Sequence, residues 1–99
     1  MVVAELSIIP LSGGEMRPFV DAAVDAIRAA GLKYEVEPLG TSLEGDLDDV
    51  LRAVRAVRDA VMRLGCERLI TELRIDERRS AQGDMDHEIE AYRVVAARH

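Results

Sequence analysis

The groups best suited to hold a ligand fall close together in PLGTSLEGDLDD, residues 38–49, where Thr41, Ser42 and Glu44 bring two hydroxyls and a carboxylate between Gly40 and Gly45. A hydroxyl both donates and accepts hydrogen bonds, whereas an ionised carboxylate only accepts. The carboxylate of Glu44 can hydrogen-bond an amino-heterocycle or balance a cation. The bracketing glycines suit tight backbone turns. Asp46, Asp48 and Asp49 follow at once, but they stand at the start of a helical pattern, where acids cap N–H groups and favour the positive end of the dipole. With those three assigned to the helix and calcium-loop spacing absent, a divalent-cation site is not expected. Glu44 is not needed as a cap. It is either a surface or interface carboxylate, or a ligand-binding one with Thr41 and Ser7 as neutral partners.

Other chemistries lack their parts. Cys66 is the only cysteine, which rules out an internal disulfide and a Cys-rich zinc site, and with no nearby His it reads as a packed or turn thiol. His87 and His99 are too widely spaced for a metal pair. Ser12-Gly13-Gly14-Glu15 is short for a phosphate loop and has neither the Lys nor the following Ser/Thr, so it reads as a flexible turn. No nucleophile has an adjacent base and no acid–base pair can be placed, so catalysis is not expected, nor any cofactor.

Bulk properties narrow the partners. A net charge of −6, from 19 acidic and 13 basic residues, repels phosphate backbones and anionic headgroups. Aromatics make up 3% of the chain, too few to build a platform for stacking bases. Neither nucleic acid nor membrane is an expected partner, while a cationic ligand is compatible. The N-terminal run MVVAELSIIPL lacks a basic n-region and Glu5 interrupts it, and no segment reaches the ~20 apolar residues that span a bilayer. The expectation is a soluble, unprocessed, cytoplasmic protein. Its 99 residues suit one domain spanning residues 1–99.

The elements that must position these groups follow from periodicity. Residues 2–9 alternate, with Val2, Ala4, Leu6 and Ile8 toward a core and Val3, Glu5, Ser7 and Ile9 away from it, and Pro10 is expected to end the strand. A helix from about Arg17 to Gly31 carries Val20, Ala23, Val24 and Ile27 as its apolar stripe. A second strand, residues 32–39, has Pro38 near its end, which argues for a sheet edge. Gly40 leads by hairpin into a short third strand, residues 41–45. Asp46 then caps a long helix with Leu47, Val50, Leu51, Val54, Val57, Val61 and Leu64 on one side and Arg52, Arg55, Arg58 and Arg63 on the other. Gly65 closes it, and a fourth strand covers residues 68–76. A third helix is expected from Asp84, with Met85, Ile89, Tyr92 and Ala96 as a narrow apolar face.

The order β-α-β-β-α-β plus a terminal helix is that of an α+β ferredoxin-like sandwich: a four-stranded antiparallel sheet with helices on one face. The other face is left open. Alternation puts Glu5, Ser7, Lys33, Glu35, Glu37, Glu72 and Arg74 there, with Val3, Ile9 and Ile70 among them. Apolar residues among charged ones suit contact with another subunit, so self-association through sheet faces or edges is expected.

The segments AELSIIPLSGGE, GLKYEVEPLGTSLEGDLDDV and CERLITELRIDERR together resemble the thiamine-binding family of small ferredoxin-like proteins. The ordered set S-I-x-P, K-Y-E-V, G-T-x-x-E-G-D and I-D-x-R-R carries the resemblance over nearly the whole chain. It implies a homotetramer or dimer built from paired sheets, no catalytic activity, and binding of thiamine or its hydroxymethylpyrimidine part. Carried over by position, it places Ser7, Tyr34, Thr41 and Glu44 near the heterocycle, with Asp76 as a further candidate. The loop SAQGDMD after Arg79 departs from the family pattern. The competing reading is a structural or regulatory module that uses the open sheet to bind another metabolite or a protein. An enzyme of thiamine metabolism ranks last.

Overall fold

A computed structural model describes residues 1–79. The expected third helix, with Met85, Ile89, Tyr92 and Ala96, lies outside the described residues, as do His87 and His99. The elements run β1 (Val2–Pro10), α1 (Arg17–Ala29), β2 (Lys33–Glu37), β3 (Gly40–Gly45), α2 (Leu47–Arg63) and β4 (Leu69–Glu77). The sheet order is β2-β3-β1-β4, and every pairing is antiparallel. Two helices against one face of this sheet make the α+β ferredoxin-like fold that the sequence order predicts.

The strand alternation places the core. Val2, Ala4 and Leu6 of β1 and Leu43 of β3 are buried with Ala23 and Ile27 of α1 and Val50, Val57 and Val61 of α2. The helices therefore cover the face on which β1 presents its even residues. The interior strands, β1 and β3, carry the most deeply buried side chains of the sheet, Val2 and Leu43. Edge β2 fits the position of Pro38, which follows it in the two-residue link between Glu37 and Gly40.

Several local expectations need correction. Pro10 does not end β1 but pairs with Leu69, and the ladder runs on to a hydrogen bond of 2.7 Å from Leu11 N–H to the Arg68 carbonyl. That bond makes the odd residues of β1 donors toward β4. Pro10, an even residue, aims its missing N–H at the other side, where β3 has already ended at the Leu6–Thr41 pair. Asp46 does occupy the N-cap position with extended backbone, but its carboxylate caps nothing. Asp48 and Asp49 remain in the first turn, where the dipole favours them. Val20, Leu51 and Leu64 are exposed at 40%, 45% and 53%. They belong to the apolar stripes but lie on their outer margins, and on α2 the buried row instead takes in Ala53. Gly65, at φ +86°, and Gly31, at φ +78°, each follow a helix in the left-handed conformation that favours glycine.

The cysteine is structural. Cys66 is buried in the core cluster, and its Sγ donates to the Arg68 carbonyl at 3.2 Å. Among the described residues no helix is long and apolar enough to cross a membrane.

Candidate ligand site on the open sheet face

Residues directly opposite each other in an antiparallel sheet project to the same side, so the register assigns every side chain to a face. Lys33 of β2 lies opposite Glu44 of β3, Glu44 opposite Val3 of β1, and Val3 opposite Asp76 of β4. These four form one row across the whole open face. The next row holds Glu35, Ser42, Glu5 and Arg74 in the same strand order. Ser7 and Glu72 pair further along, and Ile9 and Ile70 beyond them. All ten residues that alternation assigned to the open face are there.

Glu44 stands out by its burial. It is 9% exposed although it projects from the face opposite the helices, and Ser42 beside it is 5% exposed. An interior strand surrounds these groups with neighbours. Lys33 reaches Glu44, Nζ to Oε2, at 3.8 Å, and Ser42 donates its hydroxyl proton to Glu37 Oε1 at 3.2 Å. At the far end of the row Arg78 approaches Asp76 at 3.9 Å. Taking a carboxylate out of water costs free energy unless cations or donors attend it. Glu44 is therefore a buried carboxylate with the Lys33 ammonium beside it.

The structure brings some of the expected site residues together and separates others. Glu44 and Asp76 share a row, two strands apart, or roughly 10 Å by the ordinary strand spacing. Val3 lies between them as an apolar floor. Ser7 is on the same face, but four residues from Val3 along β1, about 13 Å at the usual rise. It stands apart from the Glu44 row and can meet only a different part of an elongated ligand. Thr41 is buried on the helix side, opposite Leu6 and Val36. Tyr34 is on the helix side too, opposite Leu43 and packed against the core, and its hydroxyl accepts from Arg28 Nε at 3.5 Å. That bond, with the charge of Asp25 behind it, raises the Arg28 pKa still further above its ordinary value, so the guanidinium stays protonated.

Ser42 is the residue of the site that sequence reasoning passed over in favour of Thr41. The signal was present: on a strand, residues two apart share a face, so Ser42 goes with Glu44 and Thr41 does not.

Among the described residues, six carboxylates (Glu5, Glu35, Glu37, Glu44, Glu72 and Asp76) and two cations (Lys33 and Arg74) of the strands share this face. The face is predominantly acidic and is backed by a ferredoxin-like α+β scaffold. Residues 4–93 match the family model described as thiamine-binding protein. The chain belongs to that family.

Similarity to other proteins runs along nearly their full lengths. A UPF0045 protein of Methanothermobacter thermautotrophicus is 38% identical over 94 residues, spanning 92% of this chain and 95% of the relative. The crystal structure of a hypothetical protein from Methanocaldococcus jannaschii superposes with a TM-score of 0.82 at 36% identity, covering 92% of this chain and 94% of that one. A Thermotoga maritima structure, assigned provisionally to thiamine biosynthesis or salvage, has the same fold, with a TM-score of 0.79 at 23% identity over 92% of this chain and 97% of that one.

Proposed function

We propose that this protein binds thiamine, or its hydroxymethylpyrimidine part, on the open sheet face without turning it over, as a homo-oligomer of the cytoplasm. The single observation that carries the reading is the carboxylate of Glu44, 9% exposed on an interior strand with Val3, Ser42 and Lys33 around it, in a chain of the thiamine-binding family.

The chemistry of the ligand fits the row. A thiazolium ring carries a fixed positive charge, and an aminopyrimidine offers an exocyclic amine that donates to a carboxylate. One ring lying over Val3 meets Glu44 on one side and Asp76 on the other, while Ser42 supplies a hydroxyl. The second ring of thiamine extends along β1 toward Ser7. A flat sheet exposed to water leaves such a ligand half solvated, and a second subunit laid over the face completes its burial. This is the physical motive for a dimer or tetramer. None of these groups forms a nucleophile–base pair, which supports binding over catalysis.

Calorimetry with thiamine and with hydroxymethylpyrimidine tests the reading. Saturable binding, weakened at least tenfold by Glu44→Gln, supports it. No heat and no thermal shift at millimolar ligand overturns it. Turnover of either compound would replace the binding role with an enzymatic one.

A further inference from the structure

Ser42 lies on β3 two residues before Glu44, on the same face, and is 5% exposed. Its hydroxyl proton is committed. An ionised carboxylate only accepts hydrogen bonds, so in the 3.2 Å contact between Ser42 Oγ and Glu37 Oε1 the proton belongs to Ser42. A free serine hydroxyl rotates, and can meet a ligand as donor or as acceptor. One whose proton is held by Glu37 has only lone pairs left to offer.

The hairpin builds this contact. Glu35 stands directly opposite Ser42, and Glu37 directly opposite Gly40. Gly40 brings no side chain to the face, so the half-buried Glu37 leans to its diagonal neighbour, Ser42. On its other side Ser42 is flanked by Glu5 of β1. Glu5, Glu35 and Glu44 are carboxylates and offer lone pairs alone. The cations of the strands, Lys33 and Arg74, stand on β2 and β4, the two margins of the sheet.

We propose that Glu37 is a positioning residue that fixes the polarity of the site: by holding the Ser42 proton it leaves Ser42 Oγ an acceptor beside Glu44, so that β3 selects a heterocycle edge of N–H donors and rejects one presenting a carbonyl oxygen. The inference rests on the thiamine reading and names the edge of the pyrimidine that β3 reads, its exocyclic amine. In the 4-oxo analogue of thiamine an oxygen replaces that amine. Its lone pairs would face those of Ser42 and Glu44, and neither residue has a proton to turn toward it. The ring N–H that the analogue gains lies one position away from the lost amine.

Calorimetry on the full chain with thiamine and with its 4-oxo analogue tests the role. Both compounds carry the same thiazolium, so the ratio of their affinities cancels the charge lost with Glu37 and reports polarity. The wild-type protein is expected to favour thiamine by on the order of tenfold or more. Glu37→Leu releases the Ser42 proton, and the preference is expected to fall by about threefold or more, chiefly through tighter binding of the analogue. Ser42→Ala removes the fixed acceptor and narrows the preference as well. In the Ser42→Ala background, Glu37→Leu is expected to change it no further, because its effect runs through the hydroxyl. A Glu37 that only supported the hairpin would move both affinities together, with or without Ser42.

Equal wild-type affinities for the two compounds overturn the proposal and leave thiamine binding standing. So does an unchanged preference in folded Glu37→Leu, or an effect of that substitution that is the same in both backgrounds. If Glu37→Leu does not fold, Ser42→Ala decides, and an unchanged preference there overturns the proposal. A wild-type protein that binds neither compound overturns the ligand reading itself, and this inference with it.

Discussion

Gly40 and Gly45 bracket the strand that carries Ser42 and Glu44, and replacing each by alanine separates a backbone constraint from a side-chain one. A Cβ on Gly40 would sit 2.8 Å from the carbonyl oxygen of Leu6, where ordinary contact begins near 3.4 Å. The obstacle is the backbone of the neighbouring interior strand, so β1 and β3 must part by about 0.6 Å, the difference between those two distances. Overpacking of this kind costs roughly 1–3 kcal/mol, offset in part by the ~0.5–1 kcal/mol that alanine recovers in chain entropy. The net loss is about 1–2 kcal/mol, which for a domain of this size lowers Tm by roughly 5–15 °C. At Gly45 the nearest atom is Leu32 Cδ2, also at 2.8 Å, but it is the end of a rotatable side chain. Gly45→Ala is expected to cost less than about 1 kcal/mol. Gly13, with nothing within 4 Å, serves as the control, unchanged or slightly stabilised as Ala. Thermal and urea denaturation of the three variants gives the order Gly13, Gly45, Gly40 from mildest to worst. A Gly40→Ala protein as stable as Gly13→Ala would refute the close approach of β1 and β3.

Other perturbations separate core from site. Leu43→Ala empties a position with 0% exposure and is expected to cost about 2–5 kcal/mol in urea denaturation, a large share of a total near 5–15 kcal/mol. Tyr34→Phe loses one long hydrogen bond on the helix side and leaves thiamine affinity unchanged in calorimetry, whereas Ser42→Ala, on the open face, lowers it severalfold. Lys33→Gln removes the cation 3.8 Å from Glu44. Affinity for cationic thiamine is expected to rise about two- to fivefold, and that for neutral hydroxymethylpyrimidine to change less.

Much of the fold is legible in the sequence because strand periodicity is simple. The alternation in β1 separates Val2, Ala4 and Leu6 from Val3, Glu5 and Ser7, and the structure places each on its expected face. The order of elements then suffices for the ferredoxin-like sheet. Legibility falls where a residue's role depends on geometry that no period encodes. Val20, Leu51 and Leu64 satisfy the helical pattern but lie at the margins of the buried arcs, whose centres depend on how each helix sits on the sheet. Asp46 has the right type and place for a cap, yet its side chain makes no capping hydrogen bond. Pro10 looks like a strand terminator, and it is accommodated because β3 has ended before reaching it.

The site was half legible for a similar reason. Glu44 is not needed as a cap, and it is the buried carboxylate of the open face. Thr41 is its neighbour along the chain. On a strand, proximity is misleading: three residues' separation puts two side chains on opposite faces, and Ser42 is the hydroxyl that shares Glu44's side.

The most direct test of the ligand site follows two adjacent valines. Val3 lies on the open face between Glu44 and Asp76, while Val2 is buried under the helices. In a methyl-labelled NMR titration with thiamine, the Val3 methyl resonances are expected to shift to saturation and those of Val2 to stay nearly fixed. Shifts at Val2 with none at Val3, or no shift at either at millimolar ligand, would contradict a ligand seated on the Glu44 row.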